Sequence, residues 1–201
     1  TPYVEIGDLK IFSTTEMIDI VGYLELIDIF KNYLFDKNSI NIEVINRISS
    51  QVQNIIKWDI YSTNALDKKV IDTSSDIFLA LTENVKFENI SSSLSGIGKN
   101  ILIKVKEDII DISKKTDELN IKELINYFMS KTGYIKRFED TENIEVKERL
   151  KNLKRINKIV DDYISQNSSE KGQVRKFLDE LKDKKSGSQF ADAFDGVQIL
   201  T

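Results

Sequence analysis

The sequence predicts a mainly α-helical, bundle-like domain with short β segments at both chain ends. Three observations carry that prediction. Apolar residues recur at intervals of three and four over most of the chain, the period of a helix with one buried face. One proline and eight glycines in 201 residues leave long helices little interrupted. The β-prone runs are confined to the first dozen residues and the last few.

The elements follow in order. Tyr3 to Ile6 and Leu9 to Phe12 are β-prone runs around Gly7-Asp8, a two-residue turn signal. Ser13 with Glu16 three residues on spells a capping box and opens a helix. Met17, Val21, Leu24 and Ile27 lie on one face of it, and it runs on toward Tyr33 and Leu34. Val44, Ile45, Ile48, Val52, Ile55 and Ile56 keep a helical period over roughly 41–60, and 74–84 suits a shorter helix. Polar, Ser-rich stretches between these helices, and again from Glu88 to Ser95, read as loops. After Gly98 the period sharpens through Leu102, Val105, Ile109 and Ile112. Asn120 with Glu123 marks a second capped start, Leu124 and Phe128 face inward, and Gly133 is the stop. A helix over 143–165 buries Val146, Leu150, Leu153, Ile156, Val160 and Tyr163; one over 170–183 buries Val174, Phe177, Leu178 and Leu181. Lys184-Lys185-Ser186-Gly187-Ser188 reads as a linker, and Val197 to Leu200 as a strand beginning.

Composition excludes several chemistries. Histidine and cysteine are both absent, which removes imidazole mechanisms, thiol catalysis, disulfides and zinc–thiolate sites. Carboxylates, hydroxyls, lysine and tyrosine remain, and no catalytic centre assembles from them by spacing. No apolar run of about 18 residues exists to span a membrane, and the first residues do not make a signal peptide. A cytoplasmic home is the expectation, and a first residue other than Met suggests a piece of something longer. The 29 basic and 33 acidic side chains leave a net charge of −4. Nucleic-acid binding then depends on local clustering.

Four groups of residues are candidates for function. Gly96, Ile97, Gly98, Lys99 and Asn100 form a Gly-x-Gly turn opening into a helix; free amides and a lysine there suit a phosphate. It is not a phosphate-binding P-loop, which needs four residues between its glycines and Ser or Thr after the lysine. The alternative is a tight loop before a helix. Lys147, Lys151, Lys154 and Lys158 form a stripe at i, i+4, i+7 and i+11, with Arg149 and Arg155 nearby; it either follows a phosphate backbone or is a solvated face balanced by Glu145 and Glu148. Asp108, Asp111, Asp161, Asp162, Asp179 and Glu180 could hold Mg²⁺ or do acid–base work, but none sits beside a Gly-rich loop or a strand end, and they read as a solvated or ion-paired face with no metal site expected. Tyr127, Phe128, Tyr134 and Phe138 lie at core spacing, and Trp58 is isolated.

In sequence order, several stretches resemble UvrD/PcrA/Rep-type superfamily 1 DNA helicases. Pro2 to Phe12, Glu16 to Asp19 and Gly22 to Ile27 are similar to the junction where the second motor domain passes into an inserted helical subdomain, called 2B. Gly96-Ile97-Gly98 with Leu102 and Val105 resembles that subdomain's "GIG" turn and helix. Ile121 to Tyr134, including Lys131-Thr132-Gly133-Tyr134, and Glu148 to Leu153 are similar to its "KTGY" and "RLENL" regions, and Asp195 to Thr201 to the strand that rejoins the motor. Ser13-Thr14-Thr15 stand where the family has "ERK", and residues 30–90 match nothing in it, so a helicase–nuclease subunit of the AddA or RecB kind is included in the resemblance. It implies a motor stub over 1–13, a 2B-like accessory domain over 14–183, a linker over 184–194 and a motor strand over 195–201, with both ends close together. It also implies a role: contact with the duplex DNA backbone and with the parent's motor domains, ATP and Mg²⁺ bound by the parent, and no cofactor in this chain. The alternative is a structural or protein-interaction helical domain with no nucleic-acid ligand.

Overall fold

A computed structural model describes residues 10–35, 88, 91–92, 96–135, 144–167 and 170–195. Those residues are mainly helical, with no strand among them: a 3₁₀ turn at Lys10–Ser13, then α1 (Thr15–Phe35), α2 (Gly96–Lys115), α3 (Ile121–Lys131), α4 (Ile144–Asn167) and α5 (Val174–Asp195). The expected helices over 41–60 and 74–84 and the strand segments at 3–6 and 197–200 lie outside the described residues.

Helix α1 is the centre of the assembly, packing against α2, α4, α5 and the 3₁₀ turn, while α3 lies against α2 and α4. Its sequence explains this position. The expected stripe of Met17, Leu24 and Ile27 is buried, but so are Ile20, Tyr23, Leu26, Ile29 and Phe30. A helix apolar on every side has to be surrounded. The peripheral helices bury one face each, as their spacing requires: Val105, Ile109 and Ile112 from α2, Leu153, Ile156, Val160 and Tyr163 from α4, and Val174, Phe177, Leu178 and Leu181 from α5. Tyr23 stacks on Phe128 of α3 at 4.6 Å between centroids, and Tyr163 meets Phe177 edge-on at 4.9 Å. These two aromatic pairs join α1 to α3 and α4 to α5.

The ends of α3 are as the sequence spells them. Asn120 Oδ1 accepts from the Glu123 amide and the Glu123 carboxylate accepts from the Asn120 amide, both at 3.0 Å, a reciprocal capping box. At the other end Gly133, at φ +68°, lets its own amide reach the Ser130 carbonyl at 3.2 Å and the Tyr134 amide reach the Met129 carbonyl at 2.9 Å. That double bond pattern is the Schellman stop.

Four expectations are corrected. The described part of the Leu9–Phe12 run is a 3₁₀ turn, in which Ser13 and Thr14 hydroxyls donate to the Lys10 and Ile11 carbonyls at 2.9 and 2.7 Å. The cap of α1 is Thr14, whose Oγ1 accepts from the Met17 amide at 3.4 Å. The box expected from Ser13 and Glu16 is therefore out of register by one, because adjacent hydroxyls compete for the position. Glu88, Ser91 and Ser92 are helical within the stretch read as a loop, and Ser91 is buried. Helix α5 continues through 184–195, read as linker. Serine and a single glycine weaken a helix by about 1 kcal/mol at most per residue without stopping it, and no proline is there.

Candidate nucleic-acid interface

Gly96 to Asn100 are the first turn of α2 itself, not a turn preceding it. The opening amides of a helix lack partners within the helix and carry its positive dipole end. No acidic side chain occupies the first turn of α2, whereas Lys114 and Lys115 sit in its last turn and complement the opposite pole. Gly96 is exposed, and a Cβ placed on it meets nothing within 4 Å. Neither packing nor a positive φ requires glycine there, so the backbone at 96 is bare toward solvent. Lys99 and Asn100 are exposed as well. The side chains of Ile97, Gly98 and Leu102 lie outside the described residues.

The rest of α2 is fastened to the core, so its opening is held on a rigid element. Beyond its three buried aliphatic residues, the Ser113 hydroxyl donates to the Ile109 carbonyl at 2.6 Å and Thr116 to the Ser113 carbonyl at 2.7 Å. Asp111 joins α2 to α3 by accepting from the Tyr127 hydroxyl at 2.6 Å and from Lys131 at 2.5 Å. Those two hydrogen bonds, Lys131 first, hold its carboxyl below the usual carboxylate range.

The basic stripe is where the spacing places it. Lys147, Lys151, Lys154 and Lys158 are exposed along α4, opposite its buried Leu153, Ile156 and Val160. Arg149 turns away from this stripe: it pairs with Glu145 at 3.0 Å and lies 3.7 Å from Glu16 of α1. Glu16 is 2% exposed and also accepts from Asn152 at 3.0 Å, so a residue read as a cap partner instead ties α1 to α4.

The acidic candidates are largely engaged in ion pairs. Asp108 pairs with Lys104 at 2.9 Å, Asp161 with Lys122 at 2.6 Å, and Glu180 with Lys184 at 2.9 Å. Among the described residues, no group of three or more Asp or Glu is arranged to hold a metal ion. Phe128 and Tyr134 are core residues, with the Tyr134 hydroxyl donating to Asp19 at 3.0 Å; Phe138 and Trp58 lie outside the described residues. An open cleft beside α5 is lined by Arg175 and Lys176 but also by Asp179, Glu180 and Asp183, so its charges offset one another. Two buried carboxylates of α1 went unnoticed in the sequence, because they sit inside an apolar helix. Glu25 lies 3.3 Å from Lys182, and Asp28 lies 3.6 Å from Arg175, within reach of its charge but too far for a hydrogen bond. Burial pushes the Asp28 carboxyl up, against the pull of Arg175 and Lys31.

Against this geometry, the comparison with known proteins points one way. The whole chain aligns with the ATP-dependent DNA helicase PcrA of two Staphylococcus epidermidis strains, 26% identical over 200 residues. The chain spans 25% of the length of those relatives. No family model matches it, and no solved structure does. The similarity supports a UvrD/PcrA-like, helicase-related region. No helix among the described residues is long and apolar enough to cross a membrane.

Proposed function

We propose that this chain is a duplex-contacting, regulatory accessory domain of an ATP-dependent DNA helicase, equivalent to the 2B insertion, and that it holds no ATPase site. One observation carries the reading: the similarity to PcrA extends over 200 residues, the length of this chain and a quarter of that protein. The fold suits such a role. A surrounded central helix makes a rigid body, and a bare helix opening at Gly96–Asn100 offers amides and Lys99 to a DNA phosphate without reading sequence. ATP and Mg²⁺ belong to the motor domains of the parent, which these ends would join. The segments 1–13 and 195–201 are motor stubs in this reading, and the setting is cytoplasmic. Helix α5 covers the whole of 184–194, so in this reading it leads to the second stub without a separate linker.

The test is fluorescence anisotropy with a short duplex at ~50 and then ~200 mM salt. Weak binding, with Kd in the ~10⁻⁴ to 10⁻⁶ M range of non-specific contacts and falling steeply with salt, is expected. Gly98→Leu should weaken it more than loss of a distant lysine, because it obstructs the backbone approach. A second reading, a protein-interaction domain, is favoured by exposed Ile144 at 80%, with Ile18 and Ile135 near half-exposed. Absence of low-salt duplex binding would move the account to that reading.

A further inference from the structure

We propose that the outer face of α4 is a second duplex-backbone contact, a basic ridge separate from the opening of α2; this rests on the DNA-contacting reading above. Between residues 147 and 158 lie six basic side chains and one acidic, a local net of +5 in a chain whose total is −4. The remainder of the molecule therefore carries −9, and within α4 the basic residues cluster in this middle stretch while Glu145, Asp161 and Asp162 lie outside it.

The pairing pattern separates this ridge from an ordinary solvated face. Many bases elsewhere on the helices meet carboxylates: Lys31 with Asp117, Lys104 with Asp108, Lys122 with Asp161, Lys131 with Asp111, Arg175 with Asp28 and Lys182 with Glu25. Lys99, Lys114 and Lys176 are exposed without such a pair among the described residues, but they stand apart from one another. Lys147, Lys154, Arg155 and Lys158 make no ion pair with any described residue. Lys151 has only Glu148 at 3.8 Å, with both side chains more than half exposed, and such a pair adds little. Three nearby carboxylates are used elsewhere, Glu145 on Arg149, Glu16 on Arg149 and Asn152, and Asp161 on Lys122; exposed Asp162, one turn past Lys158, borders the ridge at its end.

Geometry and chemistry favour a phosphate backbone as the occupant. Eleven residues of helix rise about 16 Å, the axial length of roughly five phosphates on one strand of duplex. From 147 to 158 the ridge is mostly lysine, a point charge suited to phosphate, and the exposed aliphatic side chain of α4, Ile144, lies before its first lysine. Insertion into a lipid surface needs a free apolar face, and that of α4 is buried: Ile156 and Val160 are each 1% exposed.

The experiment measures duplex binding by the 201-residue chain as a function of salt, comparing three triple variants. K151Q/K154Q/K158Q removes ridge charge, K151R/K154R/K158R keeps it, and K114Q/K171Q/K176Q removes the same charge from exposed lysines elsewhere. Thermal melting checks that all three fold. The ridge variant is expected to bind at least ~10-fold more weakly at ~50 mM salt and to lose about three units of the slope of log K against log salt, one per phosphate contact. The arginine variant should keep both, and the displaced-charge variant should keep the slope. If wild type binds and the ridge and displaced-charge variants behave alike, the ridge is overturned while the domain reading stands. If wild type shows no duplex binding, both fall. Ridge-dependent binding to anionic vesicles with none to duplex also overturns it.

Discussion

Gly172 has φ +73°, and a Cβ there would lie 3.4 Å from Asp117 Oδ1 and 3.9 Å from the Thr116 carbonyl. Its amide reaches the Leu119 carbonyl at 3.4 Å, so the chain approaching α5 is tied to the connection between α2 and α3. Gly172→Ala should cost about 1 kcal/mol or more of unfolding free energy in urea, through the left-handed backbone; an unchanged midpoint would show that this turn relaxes freely. Asp111 makes a prediction with a sign. Its folded pKa lies below its ordinary 3.8, held there by Lys131 and Tyr127. The contribution is therefore fully present above the unfolded pKa and is lost as pH falls through the folded one. Stability measured from pH 7 to pH 2.5 should fall less steeply on the acid side in Asp111→Asn. Asp28 has the opposite sign, because burial raises its pKa; its protonation on acidification opposes the loss from Asp111.

At the scale of elements, legibility in the sequence followed exposure. Helices with one wet face, α2 to α5, show their buried positions in the spacing, and the caps of α3 are local patterns that no distant contact alters. Helix α1 was harder to read. Its inward stripe is visible, but burial of the remaining sides follows from what packs around it, and Glu16, Glu25 and Asp28 look like surface until Arg149, Lys182 and Arg175 are seen facing them. The end of α5 was misread for a related reason: Ser-Gly-Ser is a weak helix former, not a barrier, and context decides. Two measurements belong here. Leu24 is fully buried, so Leu24→Ala should cost about 3 kcal/mol in chemical denaturation; Asn120→Ala should cost about 1 kcal/mol through the lost box. Cα chemical shifts over 186–195 should be helical, and random-coil values there would restore the linker.

At the scale of the molecule, the candidate interface was legible as residue types and not as an arrangement. The stripe on α4 is written in the spacing of its lysines, but which bases are spoken for becomes visible only when the carboxylates find their partners. The opening of α2 was legible as a glycine-rich start, though as a turn and not as helix. A central apolar helix ringed by singly amphipathic ones should behave as one cooperative body. Urea unfolding of the chain should thus give coincident transitions by circular dichroism and by tyrosine fluorescence.

The central claim is that backbone amides at the head of α2 hold a DNA phosphate. Hydrogen–deuterium exchange of the 201-residue chain, with and without a short duplex at ~50 mM salt, tests it at those atoms. Amides in the first turn of a helix have no partner within it and exchange quickly when free. Slowed exchange is expected at Gly96, Ile97 and Gly98 in the presence of duplex, lost again at ~200 mM salt as condensed counterions return to the DNA. Unchanged exchange at those amides, under conditions where the duplex is bound, would contradict it.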